Sequence, residues 1–540
     1  MSDTARSRHR GASSSGWAGC RPTRGVVFMC HGHARGAPLL RCAPWVSLGA
    51  FAALWVARWP LFPLPLDPAY HLLIAQQVVA ANGPIAYEWW EAAPFGRPHL
   101  YPPLLHLLLA GLLKTGCSAL VTIRLASVLL LPLLLLTVWV VARRLVGESR
   151  ARWTLWSSLL VWSFHLHAAT ALAATLGLAE FLWWIDALER RHPLTAGLLF
   201  AALCYTHLGL PWVALVSVSY YAMRQPVIRL TLLRAAWGLV LALPWWWHLW
   251  VHRAFVHVIP RQENRALDLP LLLVLVAGIG LWRCWRLRGR YDWFIALGVG
   301  LLVLAPHYTY RWLNGEGMVC WLLLAGVGLQ RLSAQLRTVR HHVRVIGLGI
   351  LSSLLLLGPS LNLEEGRWHW RWMDSAPLHL LQVRGVKERP LAQGVHGPLM
   401  ERLAARVAAA TAPHEILWSN ASYAGGWIAA LAHRAVSFLM LDEVASARPE
   451  HPIDDAHLII WFQSPASAGN SIDGVLKRQA LRPIDEDALA MLWRNPRAQR
   501  PAQWPKAVMP FAVAMGLLGV GVGLCWWEAT IPRQQARMPV

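Results

Sequence analysis

Apolar stretches close to the length of a bilayer crossing recur through most of this chain, separated by short arginine-rich connections. A helix of about 20 apolar residues crosses the roughly 30 Å hydrocarbon layer. Within that layer every backbone N–H and C=O must be satisfied internally, which leaves helices as the natural solution for such stretches. Of the 540 residues, 56% are hydrophobic and 14% charged, which excludes a cytosolic protein, a disordered chain and a disulfide scaffold. The pattern predicts a polytopic α-helical membrane protein.

Apolar segments fall at 43–62, 119–141, 153–169, 171–188, 194–210, 211–223, 232–250, 269–283, 291–306, 317–330, 345–360 and 506–527. Several are short, which implies tilt or pairing as hairpins, and together they suggest about twelve crossings. Arginine clusters are retained in the cytoplasm. Arg143/Arg144/Arg150/Arg152, Arg190/Arg191, Arg224/Arg229/Arg234, Arg283/Arg286/Arg288/Arg290 and Arg331/Arg337/Arg340/Arg344 all obey that rule if residues 102–118 lie in the interface or re-enter. The predicted organisation is a basic tail (1–42), a multi-spanning domain (43–360) whose first external loop is 61–118, an extracytoplasmic α/β domain (361–505), a final span (506–527) and a tail (528–540). The short mixed runs Glu415–Trp418 and His457–Phe462 supply the strands of the α/β domain.

The formal charge of +22 would suggest a nucleic-acid binder in a soluble chain, but most of the arginines sit where topology signals belong, and no nucleic-acid partner is expected. Seven arginines against Asp3 alone mark the first 42 residues, a solvated tail or one preceding a start at Met29. Eight cysteines show no zinc spacing, and the run Cys30-His31-Gly32-His33 lacks a rigid frame for a metal. The 33 tryptophans, many at segment ends, read as interfacial belts.

The most informative polar stretch runs from Leu66 to His106. Asp67 follows the first span, Pro68 suits the first helical position with Asp67 as N-cap, and His71 lies four residues on, on the same face. Downstream comes Gly96-Arg97-Pro98-His99-Leu100-Tyr101-Pro102-Pro103-Leu104-Leu105-His106. A carboxylate beside imidazoles and an arginine at a membrane surface suits coordination of a cation, activation of a nucleophile and binding of phosphate. Glu180, inside the apolar run from Ala171 to Leu188, is a functional candidate because acids within membrane segments are costly, or else a partner for His165 or His167.

This stretch and the order of elements resemble the GT-C superfamily of membrane glycosyltransferases. The similarity is greatest to the branch of oligosaccharyltransferase catalytic subunits and their uncharacterised prokaryotic relatives; the protein O-mannosyltransferases and lipid A aminoarabinose transferases lie further away. The resemblance implies transfer of a sugar from a polyprenyl-phosphate-linked donor to an extracytoplasmic glycan, lipid or protein acceptor, by a multi-pass protein of the inner (plasma) membrane. It implies Asp67 as base or metal ligand. Glu180 becomes a second ligand for a divalent cation, Mg or Mn. Substrate contacts fall to His71, Arg97, His99, Tyr101, His106 and Arg311, the last in the external run Pro306 to Arg311 where the family carries a phosphate-facing arginine.

The chain also departs from that family. It has no Trp-Trp-Asp sequon signature, its nearest string being Trp418-Ser419-Asn420-Ala421-Ser422-Tyr423, and His165-Leu166-His167 stands where a paired acid is expected. Without a metal, Asp67 would act as base and arginines would hold the leaving phosphate. Two rivals remain: a lipid or polyanion transporter or flippase using Glu180 and His207, and a GT-C-like scaffold that binds without catalysis. No P-loop, dinucleotide fingerprint or serine elbow occurs.

Overall fold

The computed structural model describes residues 37–59, 62, 67–256, 267–303, 311, 315–336, 338–339, 341–364, 367–372, 375–381, 398–440, 453–462, 481–486 and 490–530. The basic tail up to residue 36, with its Cys-His run, and the tail beyond 530 lie outside them. In chain order the helices are α1 (Ala37–Ala57), α2 (Pro68–Ala81), α3 (Leu104–Lys114), α4 (Ala119–Val146), α5 (Glu148–Leu160), α6 (Trp162–Thr170), α7 (Leu172–Glu189), α8 (Pro193–Thr206), α9 (Leu210–Arg224), α10 (Arg229–Ala235), α11 (Trp237–Val251), α12 (Leu271–Leu287), α13 (Asp292–Leu301), α14 (Met318–Leu336), α15 (His341–Leu357), α16 (Ala376–Leu380), α17 (Pro398–Ala410), α18 (Ser422–Ala432) and α19 (Phe511–Thr530).

The chain is mostly helical. Against the twelve crossings expected, three helices among the described residues are long and apolar enough to span a membrane: α4, α14 and α19. The number is five if each of two bent pairs counts as one span: α6 with α7, bent by 108°, and residues 226–251, bent by 55°. Residues 153–169, expected as one segment, break at Val161, whose extended backbone (φ −86°, ψ 107°) separates α5 from α6 and pairs with Ser375. Helix α3 has 11 residues, a rise of about 16 Å and half of the hydrocarbon thickness.

The helices pack through small residues. A Cβ on Gly280 of α12 would stand 1.8 Å from the Leu324 carbonyl oxygen of α14, and one on Gly328 would stand 2.1 Å from that of Val276. Close backbone approach of this kind is how helices associate where lipid offers no hydrophobic drive. At the other end of the chain, Glu528 of α19 accepts the Leu194 N–H at 3.1 Å and the Thr195 N–H at 2.5 Å, capping α8 with a charge that suits a helix N-terminus.

The α/β unit is a five-stranded sheet with spatial order β7 (Ala435–Val436), β6 (Ile416–Ser419), β8 (Leu458–Phe462), β10 (Ala490–Arg494), β9 (Arg482–Glu486). β6 runs parallel to β7 and β8, while β10 is antiparallel to β8 and β9. Residues 361–371, assigned to this domain from sequence, belong elsewhere: β4 (Ser360–Glu364) pairs with β5 (Arg367–Arg371) and with β3 (Leu267–Pro270) in a separate antiparallel sheet. The five-stranded unit shares one apolar core with the first loop, in which Leu72, Leu73 and Ile74 of α2 join Leu403, Trp427 and Ile428. Backbone hydrogen bonds extend its edge into that loop, Val436 N–H to Trp90 O at 2.8 Å and Ala93 N–H to Val436 O at 2.9 Å.

Candidate functional site

The first-loop stretch folds around α2. Pro68 opens the helix, and a Schellman turn closes it: Asn82 adopts the left-handed conformation at φ 57°, its N–H reaching Val79 O and that of Gly83 reaching Val78 O. Gly83 admits no side chain, because a Cβ would stand 1.9 Å from the Met509 carbonyl oxygen. From there the chain enters a two-strand ribbon, β1 (Tyr87–Glu88) with β2 (Arg97–Pro98), whose register sets Glu88 directly opposite Arg97.

That register builds a buried ionic network. Arg97 donates through Nε to Glu88 Oε2 (3.0 Å) and Glu91 Oε2 (2.9 Å), and through Nη2 to Glu91 Oε2 (2.6 Å). Tyr70 donates to Glu88 Oε1 at 2.8 Å, and His99 Nδ1 meets the same oxygen at 2.6 Å. Glu91 Oε1 accepts the Met440 N–H, so one carboxylate joins Arg97 to the backbone of the α/β unit. Behind this lie His71 and His106, Nδ1 to Nε2 at 2.9 Å, with the Tyr101 ring 5.1 Å from that of His71. His248 of α11 donates through Nε2 to the His99 carbonyl at 2.8 Å and ties the loop to the helices.

Burial decides the protonation of these groups. It pushes the His71 imidazole down to about 3, helped by the neighbouring His99 and His207, and His99 to about 3, helped by Arg97. Both are therefore neutral at pH 7, and a neutral His99 bonded to a carboxylate carries its proton on Nδ1. Burial likewise raises the Tyr70 hydroxyl, with Glu88 adding to the effect.

Asp67 sits at the head of α2 with helical φ and ψ of −54° and −28°, and its carboxylate makes no capping hydrogen bond. The capping role expected of it is thus absent. Its backbone oxygen still accepts the His71 N–H at 3.1 Å.

A second group gathers at the ends of α6, α8 and α14. Arg311 Nη1 donates to Glu316 Oε1 at 2.9 Å, and His207 and His167 approach the two oxygens of this carboxylate at 3.7 Å each. Burial would push the Glu316 carboxyl up, but Arg311 and both imidazoles together hold it down at about 2. His207 accepts the Gly209 and Leu210 N–H groups on Nδ1, which leaves Nε2 toward Glu316. Glu180 takes the hydroxyl of Thr206 at 3.0 Å rather than His165 or His167. His165 instead packs its ring 4.8 Å from that of Phe51.

The structure thus brings His71, Arg97, His99, Tyr101 and His106 together and places Arg311 in the neighbouring group. Arg97 has 3% of its side chain exposed and two carboxylates on it, whereas Arg311 is 17% exposed. Among the described residues no three His, Cys, Asp or Glu side chains converge as a metal site, and Glu180 accepts the Thr206 hydroxyl on Oε1 alone. Sequence reasoning missed Glu316. Its signal was an acid isolated between glycines, Asn314-Gly315-Glu316-Gly317, immediately before an apolar run.

No family model and no curated protein matches this sequence. Solved structures do match. ArnT from Cupriavidus metallidurans in the apo state aligns over 85% of this chain and 99% of its own, at TM-score 0.51 and 16% identity. The chain shares the fold of that ArnT structure. The same ArnT bound to undecaprenyl phosphate aligns over 84% of this chain and 98% of that one, at TM-score 0.50 and 14% identity. The archaeal oligosaccharyltransferase AglB from Archaeoglobus fulgidus, in complex with an inhibitory peptide and a dolichol-phosphate, covers 78% of this chain and 69% of its own at TM-score 0.45 and 11% identity.

Proposed function

We infer that this multi-pass membrane protein transfers a sugar from a polyprenyl-phosphate-linked donor to an acceptor outside the cytoplasm. The observation that carries this reading is the shared fold with ArnT along nearly the whole of both chains, one of those structures being the complex with undecaprenyl phosphate. In the proposed reaction an acceptor oxygen attacks the anomeric carbon and its proton passes to Asp67. The bond from that carbon to the phosphate oxygen breaks, and its electron pair leaves with the lipid phosphate. Asp67 suits the base by its place at the head of α2, directly after the first apolar segment, where the resemblance puts the reacting acid. Arg311 suits the leaving phosphate as the accessible arginine of the two, held in place by Glu316. The Arg97 network supports these groups from behind by fixing α2 against the α/β unit. No step here depends on a metal.

Native mass spectrometry of the purified protein in lipid nanodiscs tests the donor assignment with undecaprenyl phosphate as probe. Retention of about one lipid phosphate per chain, weakened at least tenfold by Arg311→Met, is expected. Equal binding of undecaprenol and undecaprenyl phosphate would overturn it.

A further inference from the structure

The three-stranded sheet β3–β4–β5 is inside out at its central strand β4, while its edge strand β5 is exposed on both faces. On β4 the side chains of Ser360 and Asn362 are 2% and 5% exposed, so this polar face is turned into the protein. Leu361 and Leu363, on the opposite face, are only partly buried. Their cross-strand partners on β5 are Trp370 and Trp368, each 51% exposed, and Trp372 continues the row at 57% with its ring 5.2 Å from that of Trp370. Residues two apart on a strand share a face. The outward face therefore carries two leucines and three tryptophans. Arg367 and His369, which alternate with the tryptophans, are exposed on the other face. A sheet that packs on its protein in water does the reverse, apolar in and polar out.

Position supplies the reason. Pro270 of β3 is followed directly by Leu271 of α12, and only Gly358 and Pro359 separate Leu357 of α15 from β4. Two extended residues reach about 7 Å, so the sheet lies at the ends of these apolar helices. Helix α12 packs along the membrane-length α14 through Gly280 and Gly328. The outward apolar surface of both helices, Leu275 (68% exposed) on α12 and Ile350 (56%) and Leu356 (47%) on α15, leads toward the sheet. Tryptophan concentrates where hydrocarbon meets headgroups, and arginine beside it pairs with phosphate.

We propose that the β3–β4–β5 sheet is a membrane-interface anchor, with Trp368, Trp370 and Trp372 seated in the lipid at the headgroup boundary and Arg367 turned to phospholipid phosphates. This assignment does not depend on the transferase reading. The test places the photoreactive p-benzoylphenylalanine at Trp370 in the full chain, with the exposed His414 of the α/β unit as reference, irradiates intact membranes and identifies adducts by mass. The anchor predicts phospholipid adducts at position 370, at least tenfold above position 414. Adducts to another protein chain would make the face a docking surface for a partner, and adducts at neither lipid nor protein would make it solvent-facing; either overturns the proposal. Trp372, beyond the strand end, carries the same test if substitution at 370 disturbs the strand.

Discussion

Removing Arg97 while keeping its two carboxylates is the most informative perturbation of the buried network. Arg97 is 3% exposed, Glu88 and Glu91 are fully buried, and the three form one hydrogen-bonded unit. Arg97→Met preserves most of the side-chain volume and strands both carboxylates away from water. Breaking a buried pair in this way costs about 3–5 kcal/mol. Glu91→Gln is milder, because the amide oxygen can still accept the Met440 N–H and Arg97 retains Glu88. The loss there is about 1.5–3 kcal/mol, the worth of hydrogen bonds to a charged partner. In the double variant only Glu88 stays charged, still served by Tyr70 and His99. The combined cost should therefore fall short of the sum by 1 kcal/mol or more, about the size of coupling within a shared network. Unfolding in mixed micelles followed by near-ultraviolet circular dichroism gives the three differences by linear extrapolation. Additivity within about 0.5 kcal/mol, or a loss below about 1 kcal/mol for Arg97→Met, would refute the reasoning.

Three further outcomes are expected. Because the folded chain holds His71 and His99 at about 3, below the ordinary 6.5, the unfolded chain binds more protons between those values, so stability is full above pH 6.5 and falls as the pH drops toward 3. Each histidine contributes a slope of about 1.4 kcal/mol per pH unit in that window, and unfolding midpoints for His71→Gln measured from pH 7 to 4.5 should show a shallower decline than wild type. Asp67→Asn should lower turnover by about 10²–10⁴-fold, the usual worth of a general base, with unchanged elution and unfolding midpoint; turnover within a factor of two of wild type would remove Asp67 from the chemistry. Gly280→Leu should separate α12 from α14, since a Cβ alone meets the Leu324 carbonyl at 1.8 Å, and a Tm unchanged from wild type would show that the helices do not touch there.

Much of the helical frame was legible because apolar length is a direct physical requirement of a membrane chain. The stretch expected at 119–141 is α4, and the final span expected at 506–527 is α19. One break was not legible. Val161 leaves the helical region without any glycine or proline to announce it, so α5 and α6 read as one straight segment, whereas the boundary between α6 and α7 at Ala171 is where the sequence places it. In the first loop the sequence pointed to Asp67, His71, Arg97 and His99, but the partners that determine what those groups do come from tertiary pairing. Strands of two residues carry no readable period, and only their register sets Glu88 against Arg97. Glu91 reaches Met440 across 349 positions, a contact invisible to local pattern. Residues 361–371 were given to the α/β domain by their mixed polarity; their alternation is real, but on β4 its polar side faces inward.

The central claim is that this chain moves a lipid-linked sugar with Asp67 in the reaction. Mass spectrometry of polyprenyl-linked sugars and surface glycans tests it most directly, in a deletion strain complemented with wild type or with Asp67→Asn at equal membrane abundance. The account predicts that the deletion accumulates one polyprenyl-linked sugar and loses one glycan, and that wild type alone restores both. Full restoration by Asp67→Asn, or an unchanged pool of lipid-linked sugars in the deletion, would contradict it.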